Sequence, residues 1–162
     1  MNMEVSADFK GAMRRLTTTV SVISTAHEGE WYGMTATAVT SVCADPAALL
    51  VCINASSSIH APLLACGRFC VNMLQVDQLE VSNAFAGKLK GKERFSVGDW
   101  ELSAEKLPIL LNAQASLVCD LERSVPHGTH EIFIGAVRRV IMSDIISPLL
   151  YEDGKYARSL AF

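Results

Sequence analysis

The chain has 162 residues, a formal net charge of −3, half of its residues hydrophobic and 19% charged. That is ordinary globular composition, and it suits one domain over 1–162 with a single sizeable core. A slightly acidic chain has no general pull on nucleic acid or anionic lipid, and no apolar run reaches the ~20 residues of a membrane span. The opening MNMEVSADFKGAMRR lacks the apolar stretch of a signal peptide, so a cytoplasmic protein is expected, with neither nucleic acid nor membrane as partner.

The first predicted element is a short amphipathic helix, with Ser6 as N-cap and Phe9, Ala12, Met13 and Leu16 at helical spacing. Thr18 to Ala26 is β-branched and reads as a strand, HEGEW as a turn, and Tyr32 to Val42 as a returning strand. Asp45-Pro46 breaks the chain before a buried strand, Ala48 to Asn54. SSSIHAPLLACG then reads as a helix with hydroxyl caps in front and Gly67 as its stop.

Arg68 to Leu74 is a strand, and VDQLEVSNAFAG is a helix ending at Gly87. KLKGKERFSVGDW reads as a charged, poorly ordered loop. Ala113 to Arg123 and Glu131 to Ser143 are long strands separated by SVPHGTH. Leu149 to Tyr151 and Lys155 to Leu160 flank an Asp153-Gly154 hairpin turn. Many closely spaced antiparallel strands with few helices between them point to a β-barrel.

Several chemistries lack their residues. There is no G-x-G-x-x-G after a strand, no G-x-S-x-G and no Glu-x-x-His, and AGKLKGKE misses the phosphate-loop spacing. The five cysteines are odd in number and irregularly spaced, so they read as small buried hydrophobes. Cys66 and Cys70 have no second pair to complete a zinc site, and HGTH (His127, His130) has no third ligand, so no metal is expected.

Two segments do suggest a ligand. Asn54-Ala55-Ser56-Ser57-Ser58 leaves a buried strand for a helix, where free N–H groups and hydroxyls can hold an anion. In TATAVTSV, alternation puts Thr35, Thr37 and Val39 on one face and Ala36, Ala38 and Thr40 on the other. Small residues let a flat ring lie close to the backbone. The serines alone equally allow a merely capped helix, and TATAVTSV without the adjoining serines favours a plain β-branched strand.

Taken in order, the motifs resemble the short-chain flavin reductase family, the reductase components of two-component flavin-dependent monooxygenases. They are Gly33-Met34-Thr35-Ala36-Thr37-Ala38, Ser41-Val42, Asp45-Pro46 and Val51-Cys52-Ile53-Asn54 with its serines. FCVNML, SNAFAG, Arg94-Phe95, GTHEIFIGAV and PLLYEDGKYARSL follow. The match runs from about Phe9 to Leu160.

The resemblance implies a mainly β fold, a split β-barrel with a few short flanking helices, forming a homodimer that binds FAD or FMN. It implies a ring along Met34, Thr35, Ala36, Thr37 and Ala38, near Ser41 and Val42. The phosphate side would run past Cys52, Ile53 and Asn54 to Ser56, Ser57 and Ser58, with Ala84, Phe85 and Arg94 nearby. His130 matches the histidine beside the nicotinamide of NADH, and Tyr156 lies by the same pocket. Gly-Thr-His at 128–130 and Gly-Ala-Val at 135–137 replace the commoner Gly-Asp-His and Gly-Glu-Val.

The implied reaction is hydride transfer from NADH C4 to flavin N5, with reduced flavin diffusing to a separate oxygenase component active on an aromatic compound. It needs two rings stacked at about 3–3.5 Å and no protein nucleophile, which suits a site of small residues, amides and one histidine. NADH is expected over NADPH because no arginine cluster marks a 2′-phosphate site. Other readings are a split-barrel oxidase or pyridoxal-phosphate relative, a flavin-binding module without NADH activity, and a structural dimer. Apolar residues on both faces of Ala47 to Ile53 and Ile132 to Val140 support the homodimer, with flavin sites at or near its interface.

Overall fold

The computed structural model describes residues 3–160. Helix α1 (Met3–Met13) precedes strands β1 (Thr18–Thr19), β2 (Ser21–His27), β3 (Glu30–Ala36), β4 (Val39–Ala44) and β5 (Ala47–Asn54). Helix α2 (His60–Cys66), β6 (Arg68–Met73) and α3 (Leu79–Asn83) follow. The chain continues through β7 (Trp100–Leu102), β8 (Pro108–Leu110), β9 (Ala115–His127), β10 (His130–Met142), β11 (Leu149–Glu152) and β12 (Lys155–Arg158). The fold is mainly β, as expected.

Seven strands form one antiparallel sheet in the order β3-β2-β6-β9-β10-β5-β4. Its two outermost strands, β3 and β4, are consecutive in the chain and separated only by Thr37 and Ala38. Two residues cannot cross an open seven-stranded sheet, so the sheet must curl until its edges meet. The Cys52 N–H donates to the Ala38 carbonyl at 3.0 Å, which carries the β4–β5 ladder into that corner. The interior is filled by Ile23, Val51, Ile53, Phe69, Val71 and Phe133, each fully buried. Ile59 and Leu63 of the α2 region plug the same core.

Tyr32 to Val42 is therefore two strands, not one. β3 pairs with β2, and β4 with β5. The corner shifts the alternation: Ala36 is buried, Thr37 and Ala38 turn the chain, and Val39 packs on the core. Ser6 lies inside α1 rather than capping it, and Phe9 and Leu16 are 63% and 55% exposed.

The hairpin of β9 and β10 runs through SVPHGTH to a two-residue turn at Gly128-Thr129, with His127 opposite His130. The hairpin of β7 and β8, absent from the sequence reading, is held by buried Asn72. Asn72 Nδ2 donates to the Val22 carbonyl at 3.1 Å, and its Oδ1 accepts from the Leu110 N–H at 3.0 Å. The Asp153-Gly154 turn is as expected, with φ of 48° and 77°.

The charged loop after Gly87 is pinned, not loose. It contains a 3-10 helix (Gly91–Ser96), and Phe95 contacts Phe85, Trp31 and Trp100 edge-on at 4.9, 5.3 and 5.0 Å. Those aromatics were the signal that its lysines masked.

Candidate functional site

The turn after β5 is organised by Asn54. Its side-chain Oδ1 accepts from the Ser56 N–H at 2.9 Å and the Ser56 hydroxyl at 2.8 Å. The Ser57 N–H donates to the Asn54 carbonyl at 2.9 Å. The expected serine cap is therefore absent: the N-cap of α2 is Ile59, and no side chain bonds there. Asn54 offers Ser56 a nearer acceptor and closes a local turn before the helix begins.

The facing wall comes from β3 and from the segment after α3. Gly33 packs so closely on Phe85 that a Cβ there would lie 2.6 Å from Phe85 Cε1. The Arg94 guanidinium donates from Nη1 to the Gly33 carbonyl at 2.6 Å and from Nε to the Leu89 carbonyl at 3.0 Å. The Thr35 hydroxyl donates to the Ser82 carbonyl at 2.7 Å. Tyr156 donates to Asn83 Oδ1 at 3.2 Å and shares a 2.9 Å hydrogen bond with Ser82 Oγ. Across the gap, the Ser57 hydroxyl donates to Met34 Sδ at 3.4 Å.

Between these walls lies a cavity of about 480 Å³. Met34, Thr35, Ser56, Ser57, Ser58, Phe85 and Arg94, all singled out from sequence, line it together. Lys90 and two glycines, Gly87 and Gly91, line it too and were missed. Lys90 sat in a stretch read as loop, so its charge looked like solvated surface. Hydroxyls from one side and cations from the other suit an anionic group, and Met34 and Phe85 suit an apolar one.

The other sequence-derived residues lie elsewhere. Ala36, Ile53 and Ala84 are buried at 8%, 0% and 1% exposure, so their side chains serve the core. Thr37 and Ser41 line a larger, more apolar cavity of about 710 Å³, together with Val39, Leu49, Met73 and Val137. Thr37 and Ala38 also edge a third groove with Phe9 and Tyr151. Val42 is 49% exposed on edge strand β4, and Cys52 is half-buried. His130 is exposed, stands opposite Asn54 across β5 and β10, and shares a 2.9 Å hydrogen bond between its Nδ1 and Thr129 Oγ1. Among the described residues, no three His, Cys, Asp or Glu side chains gather as a metal site.

Residues 13–159 match the family described as "Flavin reductase like domain". This chain belongs to that family. It is 41% identical, over 94% of this chain and 86% of the relative, to the reductase component of an FADH(2)-dependent resorcinol hydroxylase from Rhizobium sp. (strain MTP-10005). It is 38% identical to the FMN reductase (NADH) RutF of Stutzerimonas stutzeri (strain A1501), over 94% and 87% of the two chains.

Solved structures agree. The flavin reductase PheA2 in its native state superposes with a TM-score of 0.86 at 32% identity, over 96% of this chain and 98% of that one. The NADH:FAD oxidoreductase SgcE6 of Streptomyces globisporus C-1027, in complex with NAD and FAD fragments, gives 0.90 at 27% identity, over 99% and 96%. The flavin reductase fold is the split barrel that the strand order requires. In this flavin reductase chain Thr37 lines the larger cavity and the groove beside Phe9 and Tyr151, whereas the neighbouring Met34 and Thr35 line the 480 Å³ cavity.

Proposed function

We propose that this protein is an NADH-dependent flavin reductase that supplies reduced FAD or FMN to a separate oxygenase component. The observation that carries the reading is the cavity in which Ser56, Ser57 and Ser58 face Lys90 and Arg94, with Met34 and Thr35 between them. Its donors fit a flavin phosphate, and the wall around Met34 and Phe85 fits the ribityl and ring edge. Bound flavin supplies a ring that accepts a hydride from the dihydronicotinamide.

The protein's own work is positional. The corner residues Thr37 and Ala38 would leave backbone close to the ring, and Arg94 fixes the preceding strand β3 through the Gly33 carbonyl. His130, directly after the turn that opens β10, would orient the nicotinamide. No side chain is required as nucleophile or strong base, and no His, Cys, Asp or Glu lines the cavity. The resorcinol hydroxylase relative supports an oxygenase acting on an aromatic compound, and with it FAD.

A homodimer belongs to the same reading, on only part of the surface that the sequence offered. Ala47 to Ile53 is mostly buried within one chain, whereas Val140, at the end of the second stretch, is 48% exposed. Further uncovered apolar surface includes Met142 at 76%, Ile146 at 85%, Phe9 at 63% and Val42 at 49% exposure. We infer that a second copy covers it. Anaerobic mixing with NADH and FAD tests the function: loss of the visible flavin absorbance is expected. Flavin binding without that loss would make the protein a binding module and overturn the reading.

A further inference from the structure

The turn carrying Ser56, Ser57 and Ser58 is fastened at both ends to the hairpin that bears His130. At its start the Ala55 N–H donates to the Thr129 carbonyl at 3.0 Å. At its end His60, the first residue of α2, meets Glu131 Oε2 through Nε2 at 2.6 Å. Only 16% and 12% of these two side chains are exposed. The His60 ring also lies edge-on to fully buried Phe133, with centroids 5.5 Å apart, which limits its freedom to leave the carboxylate.

Hydrogen bonds from Ser124 and then His60 hold the Glu131 carboxyl below its ordinary range. Side chains alternate along β10, so Glu131 and His130 point to opposite faces. The pair stands behind the serine turn and lines none of the cavity.

We propose that His60 and Glu131 form a positioning pair that sets the serine turn against β10 and thereby sets affinity for the phosphate end of the flavin. The proposal rests on the reading that the 480 Å³ cavity takes that phosphate. A hydrogen bond with an ionised partner is short and directional, and breaking it strands a largely desolvated group, so the turn shifts when it is lost.

The test compares dissociation constants of FMN and riboflavin, by quenching of flavin fluorescence, in the full chain and its variants. His60→Ala should weaken FMN about tenfold and riboflavin, which has no phosphate, less than about twofold. His60→Gln, whose amide nitrogen reaches the place of Nε2, should return FMN to within about threefold of wild type. A pair that merely stabilised the fold would lower the melting temperature and leave the FMN-to-riboflavin ratio unchanged, and that result overturns the proposal. Should His60→Ala fail to fold, Glu131→Gln decides: a rise of about threefold in the FMN-to-riboflavin ratio of dissociation constants supports it, and no rise overturns it. Wild type that binds the two flavins equally would overturn the phosphate assignment and this proposal together. Bleaching by NADH in the same sample would still leave flavin reduction standing.

Discussion

Asn54 and His130 are direct partners across β5 and β10, each at the end of its strand. Cross-strand partners share a face, so the residue that shapes the serine turn and the residue expected beside the nicotinamide stand side by side. On the proposed reading, anion and hydride donor would be handled from adjacent points of a single ladder.

That adjacency separates two measurements. His130→Ala should leave flavin affinity within about twofold of wild type, because no serine or cation of the cavity is touched. Anaerobic reduction at subsaturating NADH should slow by about one to two orders of magnitude, as for a lost positioning contact. Weakened flavin binding with an unchanged reduction rate would put His130 on the wrong side of the ring.

Lys90 provides a charge at the cavity and is exposed. Lys90→Ala should weaken FMN by about three- to tenfold at low salt and by less at high salt, since exposed charges are screened. Riboflavin should bind as before. An equal loss for riboflavin would rule out a phosphate contact.

Gly33→Ala forces a methyl group to within 2.6 Å of Phe85 Cε1. Both sides are constrained, because Phe85 is buried and the Gly33 carbonyl is held by Arg94. Overpacking of this kind should cost about 1–3 kcal/mol in urea denaturation. Pairing it with Phe85→Leu should recover part of that loss; a neutral Gly33→Ala would show that the wall yields freely.

The exposed apolar surface around Met142 and Ile146 predicts association. Light scattering at micromolar concentration should return twice the 17.5 kDa of one chain. Ile146→Asp should shift that mass downward. A wild-type mass of one chain would leave the surface without its proposed cover.

Burial pushes the Cys119 thiol up to about 12, with Asp120 adding to the effect, and burial pushes Cys70 upward as well, both from an ordinary 9.0. An unfolded chain releases these protons near pH 9 and the native one keeps them. Their contribution to stability is therefore full below pH 9 and lost as pH rises toward 12. Denaturant midpoints should fall across that window. At pH 8 a thiol reagent should label exposed Cys43 and spare Cys70 and Cys119 in the native state; rapid labelling of the buried pair would contradict the packing.

Local signals carried much of this fold into the sequence. Asp153-Gly154 marked its turn because only a few residue types accept that backbone, and Arg68 to Leu74 was marked by the helix stop at Gly67 and the apolar run Phe69-Cys70-Val71. Closure was harder to see. The corner at Thr37-Ala38 has no glycine or proline, so a continuous strand was the natural reading of a segment that in fact serves both edges. The serine turn was placed correctly but explained wrongly, because whether Ser56 bonds Asn54 or a helix N–H depends on where α2 starts. Lys90 and the His60–Glu131 pair join segments far apart in the chain, and neither carries a periodic pattern.

The chain has two tryptophans, and both belong to the aromatic group around Phe95. Phe85, at the heart of that group, is also a wall of the 480 Å³ cavity. Tryptophan emission from this protein therefore originates in one corner of the molecule. An absorbing guest in the cavity would quench both emitters by energy transfer, so the polypeptide carries its own optical gauge of occupancy without any attached dye.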